Sequence, residues 1–259
     1  MTRYLAIIFT FIFWNILIVT VQSAEEKRET SFYLSSKVYE ERHPIDDSFF
    51  MSQEGFMLGV NLATHYYEDS FYYGYKFSSG IGSVDYTSAS SGTIENIMDY
   101  QAEETLYIGK SFENHNSRTT IFSGFGGRYL LNASGHQLTS TGHCGYDRES
   151  RYAYIPIGIN FETDIWELRG EYQHFLYGQQ TSKISQCGFS SDVTNNQEKG
   201  SGLKLSLRYY VQDNAEVKFG YEFYMDYWDI ADSNLDETGN FMEPRNTTAE
   251  SGVRIVWSY

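Results

Sequence analysis

Proline and long apolar runs are scarce in this chain. Only three prolines occur among 259 residues, and after residue 24 no window is long and apolar enough for a membrane-spanning helix. The mean hydropathy is negative, which also argues against a helical membrane protein. Aromatic residues make up 17 % of the chain, alongside 22 glycines. Such a composition suits extended strands better than helices.

Positive charge and cysteine are also in short supply. The net charge of −15 disfavours nucleic acid as a partner, because the phosphates would be repelled. Two cysteines are present, Cys144 and Cys187. In an oxidising compartment they predict one disulfide, and two free thiols are the alternative. His136 and His143 with Cys144 do not have the spacing of a metal site, so no metal or cofactor is expected.

The first residues have the pattern of an export signal. Arg3 precedes an apolar run that reaches Val21, and the small residues Ser23 and Ala24 are followed by charged ones. A basic start, an apolar middle and a small-residue exit predict a signal peptide over residues 1–23, cleaved after Ser23. An uncleaved anchor helix is the alternative, since the run approaches spanning length.

Alternation with a period of two is the main structural signal beyond that segment. From 217 to 228, apolar residues such as Phe219, Tyr221 and Phe223 alternate with Lys218, Gly220 and Glu222. Successive side chains of a strand point to opposite faces. Similar patterns predict ten strands, over residues 31–39, 55–67, 71–77, 103–113, 118–131, 154–162, 166–173, 203–210, 217–228 and 250–259. Eight strands result if 31–39 stays outside and 55–78 forms one strand.

Short and long connections alternate between these strands. The short ones, 68–70, 114–117, 163–164 and 212–215, contain Asn or Asp, which favour tight turns. The long ones are polar and cover 40–54, 79–102, 132–150, 178–201 and 230–248. Short turns at one end and long loops at the other are typical of outer-membrane barrels, in contrast to soluble barrels or sandwiches.

The two predicted faces differ in chemistry. We expect the apolar face to meet lipid, with interfacial aromatics at Trp166, Tyr172, Tyr227, Trp257 and Tyr259. Charged residues of both signs occupy the opposite face and predict a paired network in a narrow lumen. They are Glu167, Arg169, Glu171, Lys204, Arg208, Lys218, Glu222, Asp226, Glu250 and Arg254.

The final residues, Val253 to Tyr259, alternate apolar and polar side chains and end on an aromatic. This ending resembles the last strand of bacterial outer-membrane β-barrel proteins, although Tyr259 stands where that family usually has Phe. The resemblance implies an all-β, antiparallel, up-and-down transmembrane barrel over residues 31–259, preceded by a periplasmic segment over 24–30. It also implies lipopolysaccharide and the barrel assembly machinery as partners. Ten strands match the size of omptin-like and adhesin-like barrels, and eight match OmpA-like barrels.

Catalytic patterns of such barrels find little support in the chain. Omptins use Asp pairs and an Asp–His pair, but here only Asp226 and Asp229 lie close together on a strand. Barrel lipases use Ser, His and an acid on the lipid side. His174 lies on the apolar phase of a strand over 165–177, near its extracellular end, with Ser182 and Ser185 beyond it in the loop. It is predicted either as a base that faces the outer leaflet or as a polar residue at headgroup level.

Three further groups of residues have both a functional and a structural interpretation. The cluster of Glu222, Asp226, Glu250 and Arg254 is either a paired-carboxylate hydrolase site or a salt-bridge network. A set of aromatics is either a ligand site or filling of the lumen: Phe175, Tyr177, Tyr224 and Trp228. The glycine-rich stretch 124–128 superficially resembles a phosphate-binding loop, but no helix pattern follows it.

The sequence therefore predicts a non-enzymatic outer-membrane barrel that stabilises the envelope or presents its loops in the manner of an adhesin. A small ion or solute channel is one alternative, and an outer-leaflet lipid or peptide hydrolase is another. The extracellular ligand is not identified by any motif.

Overall fold

A computed structural model describes residues 24–214, 217–236 and 238–259 of the chain, so the predicted signal peptide lies outside the described residues. Strands dominate the described part. They are β1 (Glu25–Arg42), β2 (Phe49–Glu68), β3 (Phe71–Ser88), β4 (Gly92–Asn114), β5 (Ser117–Ala133), β6 (Arg148–Thr163), β7 (Trp166–Ser182), β8 (Val193–Gln197), β9 (Gly200–Asn214), β10 (Val217–Ile230) and β11 (Arg245–Ser258). One 3₁₀ turn, Ile184–Cys187, follows β7. Within these residues no helix has the length and apolar character to cross a bilayer.

Ten of the strands form one closed antiparallel ring. Each strand pairs with its neighbour in sequence from β1 to β6, β6 pairs with β7, and β7 with β9. The ring continues through β10 and β11, and β11 pairs with β1. The prediction of ten strands is confirmed, and the eight-strand alternative is wrong. The short strand β8 pairs only with the last part of β7 and was not predicted within the segment 178–201.

The strands are longer than their apolar alternation indicated. β3 and β4 continue as a hairpin whose turn is residues 89–91, so most of the predicted loop 79–102 is strand. The first strand begins at Glu25, and Glu25–Thr30 pairs with β2. The structure therefore places 25–30 within the barrel wall, whereas the sequence placed 24–30 in a separate segment. The stretch 25–30 is polar and has no apolar face for alternation to reveal, whereas in the β3–β4 hairpin a register shift after Val84 interrupts the alternation.

The two ends of the barrel differ as the connection lengths predicted. At the short-turn end lie the connections near residues 69–70, 115–116 and 164–165, together with Tyr259. At the long-loop end lie the segments 43–48, 89–91, 134–147, 183–199 and 231–244, the last of which is described at 231–236 and 238–244.

The wall of the barrel separates two chemically different faces. On β10, Tyr221 and Phe223 are 47 % and 64 % exposed on the outside, whereas the intervening Glu222 is 3 % exposed. The same inversion holds around the ring, with apolar side chains outside and ionised ones inside. Exposed apolar surface on this scale is unfavourable in water, so the wall suits a hydrocarbon environment.

Candidate functional site

The lumen near the short-turn end contains a buried ionic network around Arg208. Its guanidinium donates to Glu29 at 2.7 Å, to Glu167 at 3.0 Å and to Glu222 at 2.7 Å. Lys27 reaches Glu162 at 2.7 Å. These side chains come from β1, β6, β7, β9 and β10, so the network connects strands across the lumen.

A second layer of charge fills the middle of the lumen. Arg254 pairs with Glu222, and Lys204 pairs with Glu103. Glu250 accepts hydrogen bonds from Tyr224 at 2.7 Å, Ser35 at 2.8 Å and Gln101 at 2.9 Å.

The remaining space in this layer is a cavity of about 50 Å³. Arg128 lies 3.6 Å from Asp226, and both have a buried polar atom without a hydrogen-bond partner, Nη1 and Oδ1. Polar atoms of this kind, next to a space of this size, suit a few ordered waters.

Aromatic side chains close the lumen on the long-loop side of this layer. Tyr152, Tyr154, Phe175 and Trp228 form one buried cluster with Leu130 and Ile230. The Tyr154 ring takes the space above Gly126, where a Cβ would be only 2.2 Å from it. The Arg128 guanidinium lies 5.1 Å from the Trp228 ring centroid, which ties the cluster to the charges below.

The mouth at the long-loop end is spanned by a guanidinium between two carboxyl groups. Arg148, at the start of β6, binds Glu41 near the end of β1 and Glu243 of the 231–244 loop, the latter at 2.6 Å. Four strands separate β1 from β6 in either direction around the ring, so these contacts cross the full mouth. Slightly deeper, Lys37 and Asp99 form another buried pair.

Two loop carboxyl groups have displaced pKa values for opposite reasons. Burial, together with the neighbouring Glu41, raises the pKa of Glu243 to about 8 against the opposing effect of Arg148. Hydrogen bonds from the Thr238 side chain and from the Phe241 and Asn240 backbone lower the pKa of Asp236 to about 2. Asp236 is therefore a fixed anion that organises its loop, whereas Glu243 holds its proton through neutral pH.

A disulfide ties two of the long loops together. Cys144 of the 134–147 loop is bonded to Cys187 in the 3₁₀ turn after β7. Asp147 and Gln186 reinforce the contact, since Gln186 accepts from the Asp147 backbone N–H at 2.9 Å. The predicted disulfide is present, and the alternative of two free thiols is wrong.

Comparison with known proteins gives matches at the level of structure. No family model matches the chain, and no curated protein matches it in sequence. The outer membrane protease OmpT from Escherichia coli shares the structure with a TM-score of 0.56 at 11 % identity, covering 93 % of this chain and 99 % of OmpT. The Ail protein of Yersinia pestis gives a TM-score of 0.37 at 13 % identity, covering 90 % of this chain and 99 % of Ail.

The fold is that of an outer-membrane β-barrel. This assignment rests on the closed ten-strand ring and on the match to OmpT along nearly the whole of both chains. At 11 % identity the match establishes the architecture alone, and the activity of OmpT does not transfer with it.

Most of the charges assigned to the lumen of this barrel from the sequence meet one another there. Nine of them take part in the two ionic layers, through ion pairs or hydrogen bonds: Glu167, Arg169, Glu171, Lys204, Arg208, Glu222, Asp226, Glu250 and Arg254. Lys218 lies instead beside an open vestibule of about 420 Å³ at the short-turn end, with its ammonium 5.3 Å from the Tyr210 ring.

The aromatics assigned to the lipid interface all lie on the outer face of the barrel. Tyr172 and Tyr227 flank Leu203 on neighbouring strands and are 45 % and 39 % exposed. Trp166, Trp257 and Tyr259 lie toward the short-turn end. The second aromatic set is divided by the wall, because Phe175, Tyr224 and Trp228 point inward whereas Tyr177 is exposed outside.

The catalytic patterns do not assemble in the barrel. Asp226 points into the lumen, whereas Asp229 faces outward and accepts two hydrogen bonds from Arg245, so they form no pair. His174 lies outside, as predicted, but its register partner on β9 is Ser201, a serine that sequence reasoning missed. The geometry gives no hydrogen bond between them among the described contacts. Ser182 and Ser185 belong to the strand end and loop beyond.

Several members of the lumen network were absent from the sequence prediction. Lys27, Glu29, Lys37, Asp99, Glu103 and Arg128 all face inward. Their signal was the strand phase, since each lies on the polar parity of its strand. Lys27 and Glu29 precede the predicted start of β1, and Asp99 and Glu103 belong to β4, which had no clear phase. Lys37 and Arg128 lie within the predicted strands 31–39 and 118–131, and their inward phase was readable there. The described residues contain no cluster of His, Cys, Asp or Glu that could hold a metal ion.

Proposed function

We propose that this chain is a surface-exposed outer-membrane barrel with a closed lumen, which stabilises the envelope and presents its long loops. The observation that carries the proposal is the filled interior. Two ionic layers, an aromatic cluster and the Arg148 contacts follow one another along the lumen. The cavity that remains in the middle layer is about 50 Å³.

The orientation follows from the same architecture. Outer-membrane barrels keep short turns in the periplasm and long loops outside, so the long-loop end faces the exterior. The disulfide and the ordered loop contacts support a rigid outer surface of the kind an adhesin needs. We further propose that lipopolysaccharide contacts the outer wall, that β11 is recognised by the barrel assembly machinery, and that residues 1–23 direct export.

Planar-bilayer recording distinguishes this proposal from the channel alternative. The purified protein, inserted from detergent, should give no conductance steps at moderate voltages in 1 M KCl, while an open porin tested in parallel should give them. The matched variant Arg148→Ala removes the contact at the mouth but leaves both deeper layers, so it should also be silent. Reproducible unitary steps from the wild type would contradict a closed lumen.

A further inference from the structure

The loop over residues 231–244 is held on the barrel mouth from two sides. On one side, the Asn195 amide donates to the Phe241 carbonyl at 3.0 Å, and Ala231 N donates to the Lys199 carbonyl at 3.0 Å. On the other side, Arg148 from the opposite wall binds Glu243. These contacts on the first side join uncharged groups, whereas the contact to Arg148 is a buried ionic one.

The charged contact has one cation for two acids. Glu41 and Glu243 both bind the same Nη2 atom of Arg148, so the two carboxyl groups lie side by side. Their side chains are only 2 % and 6 % exposed. Two buried carboxylates beside a single cation repel each other, which favours a proton on one of them.

Within the described part of the chain, Arg148 is the one cation in ion-pair distance of Glu243. Tyr39 of β1 donates to Glu41 at 2.8 Å, and Tyr146 of the 134–147 loop and Tyr152 of β6 lie nearby as neutral phenols. Gln180 of β7 contributes an amide. Once both acids ionise, the site therefore has a net negative charge in a buried position.

We propose that the 231–244 loop is a pH-dependent lid on the barrel mouth, closed while Glu243 is protonated and released when Glu243 ionises. Glu243 is the group that moves, since it belongs to the loop, whereas Glu41 and Arg148 are fixed on strands. Release hydrates the Glu243 carboxylate and leaves Glu41 paired with Arg148. It also uncovers the aromatic cluster of Tyr152 and Trp228 beneath the mouth.

The direction of the pH dependence follows from the pKa of Glu243. Its pKa is about 8 in the closed loop against an ordinary value of 4.5. Closure is therefore fully favoured below the lower value and is lost progressively as the pH rises toward the higher one. In that interval opening releases one proton, so each pH unit shifts the equilibrium toward the open form by up to about tenfold.

Hydrogen exchange of the loop amides tests the lid. In detergent-solubilised protein, after correction for the intrinsic exchange rate, protection of peptides covering 231–244 should fall by about tenfold or more between pH 6 and pH 8.5. The strand amides of β10 and β11 should keep their protection over the same range. Heat-modifiable migration on a gel confirms that each variant examined is folded.

Variants of the two acids distinguish opening caused by the ionisation of Glu243 from a general loss of loop protection at high pH. Glu243→Gln mimics the protonated form and should keep the loop protected at pH 8.5. Glu41→Gln should also keep it protected, because Arg148 then pairs with Glu243 alone. Asp232→Asn, an exposed acid of the same loop, is the control and should open like the wild type. Equal protection of the wild-type loop at both pH values, or a Glu243→Gln loop that opens with the wild-type profile, would overturn the proposal.

Discussion

Arg208 shows at the scale of one residue why the lumen charges depend on one another. It holds the carboxylates of Glu29, Glu167 and Glu222 at once, and its side chain is 8 % exposed. Each acid is buried in a setting where an unpaired charge is poorly solvated. The stability of this layer therefore depends on the arginine more than on any single acid.

Replacing Arg208 with Met should destabilise the barrel by about 3–5 kcal/mol, because three buried carboxylates lose a common partner. Equilibrium unfolding in urea with lipid vesicles measures the change. The control is Arg151→Met, whose side chain is 60 % exposed beside Glu149 and whose loss should cost about 0–1 kcal/mol. Similar costs for the two variants would contradict a buried network around Arg208.

At the scale of the strand, alternation decides which side chains meet lipid and which fill the lumen. Gly126 and Gly127 are neighbours on β5 and face opposite ways. A Cβ at Gly126 would be 2.2 Å from the Tyr154 ring, whereas a Cβ at Gly127 would meet nothing closer than 3.9 Å. The two positions therefore offer a matched test of which face is filled.

Gly126→Val should destabilise the barrel by about 1–3 kcal/mol, since the added methyl groups overpack the aromatic cluster. Gly127→Val adds the same atoms on the outer wall and should be close to neutral. The unfolding midpoint in urea, at unchanged slope, reports both changes. A Gly127→Val variant as unstable as Gly126→Val would show that the outer face is packed as tightly as the lumen.

The same alternation explains how far the sequence could be interpreted. It identified the strand phase of β10, and with it the inward position of Glu222 and the outward position of Phe223. It failed in the distal hairpin of β3 and β4, where a register shift between Val84 and Tyr86 interrupts the alternation and Ile94 and Ile97 point inward. It also could not pair distant residues: Arg148 and Glu243 were in separate predicted loops, and only ring closure brings them together.

Register explains the remaining gaps. Ser201 lies opposite His174 because of the register in which β9 pairs with β7. A long loop separates these two strands, so no local sequence pattern specifies their register. β8 was missed for a related reason, since a five-residue polar strand has no alternation of its own. Its pairing depends on the extension of β7.

At the scale of the whole molecule, the barrel has polar side chains in its interior and apolar side chains on its exterior, the reverse of a soluble protein. The ionic layers and aromatic cluster form the interior, and the apolar wall is the exterior. A closed lumen leaves the loops and the outer wall as the surfaces available to other molecules. Acids in the lumen are largely matched by Lys and Arg. Much of the net charge of −15 therefore lies outside the lumen.

Quenching of tryptophan fluorescence by lipids brominated on their acyl chains tests this arrangement most directly. Trp257 lies on the outer wall beside Phe32 and Phe219, whereas Trp228 is inside and 1 % exposed. In single-tryptophan variants refolded into such vesicles, Trp257 should be strongly quenched and Trp228 should keep the intensity it has in unbrominated lipid. Strong quenching of Trp228 with Trp257 unaffected would show that the wall faces the other way.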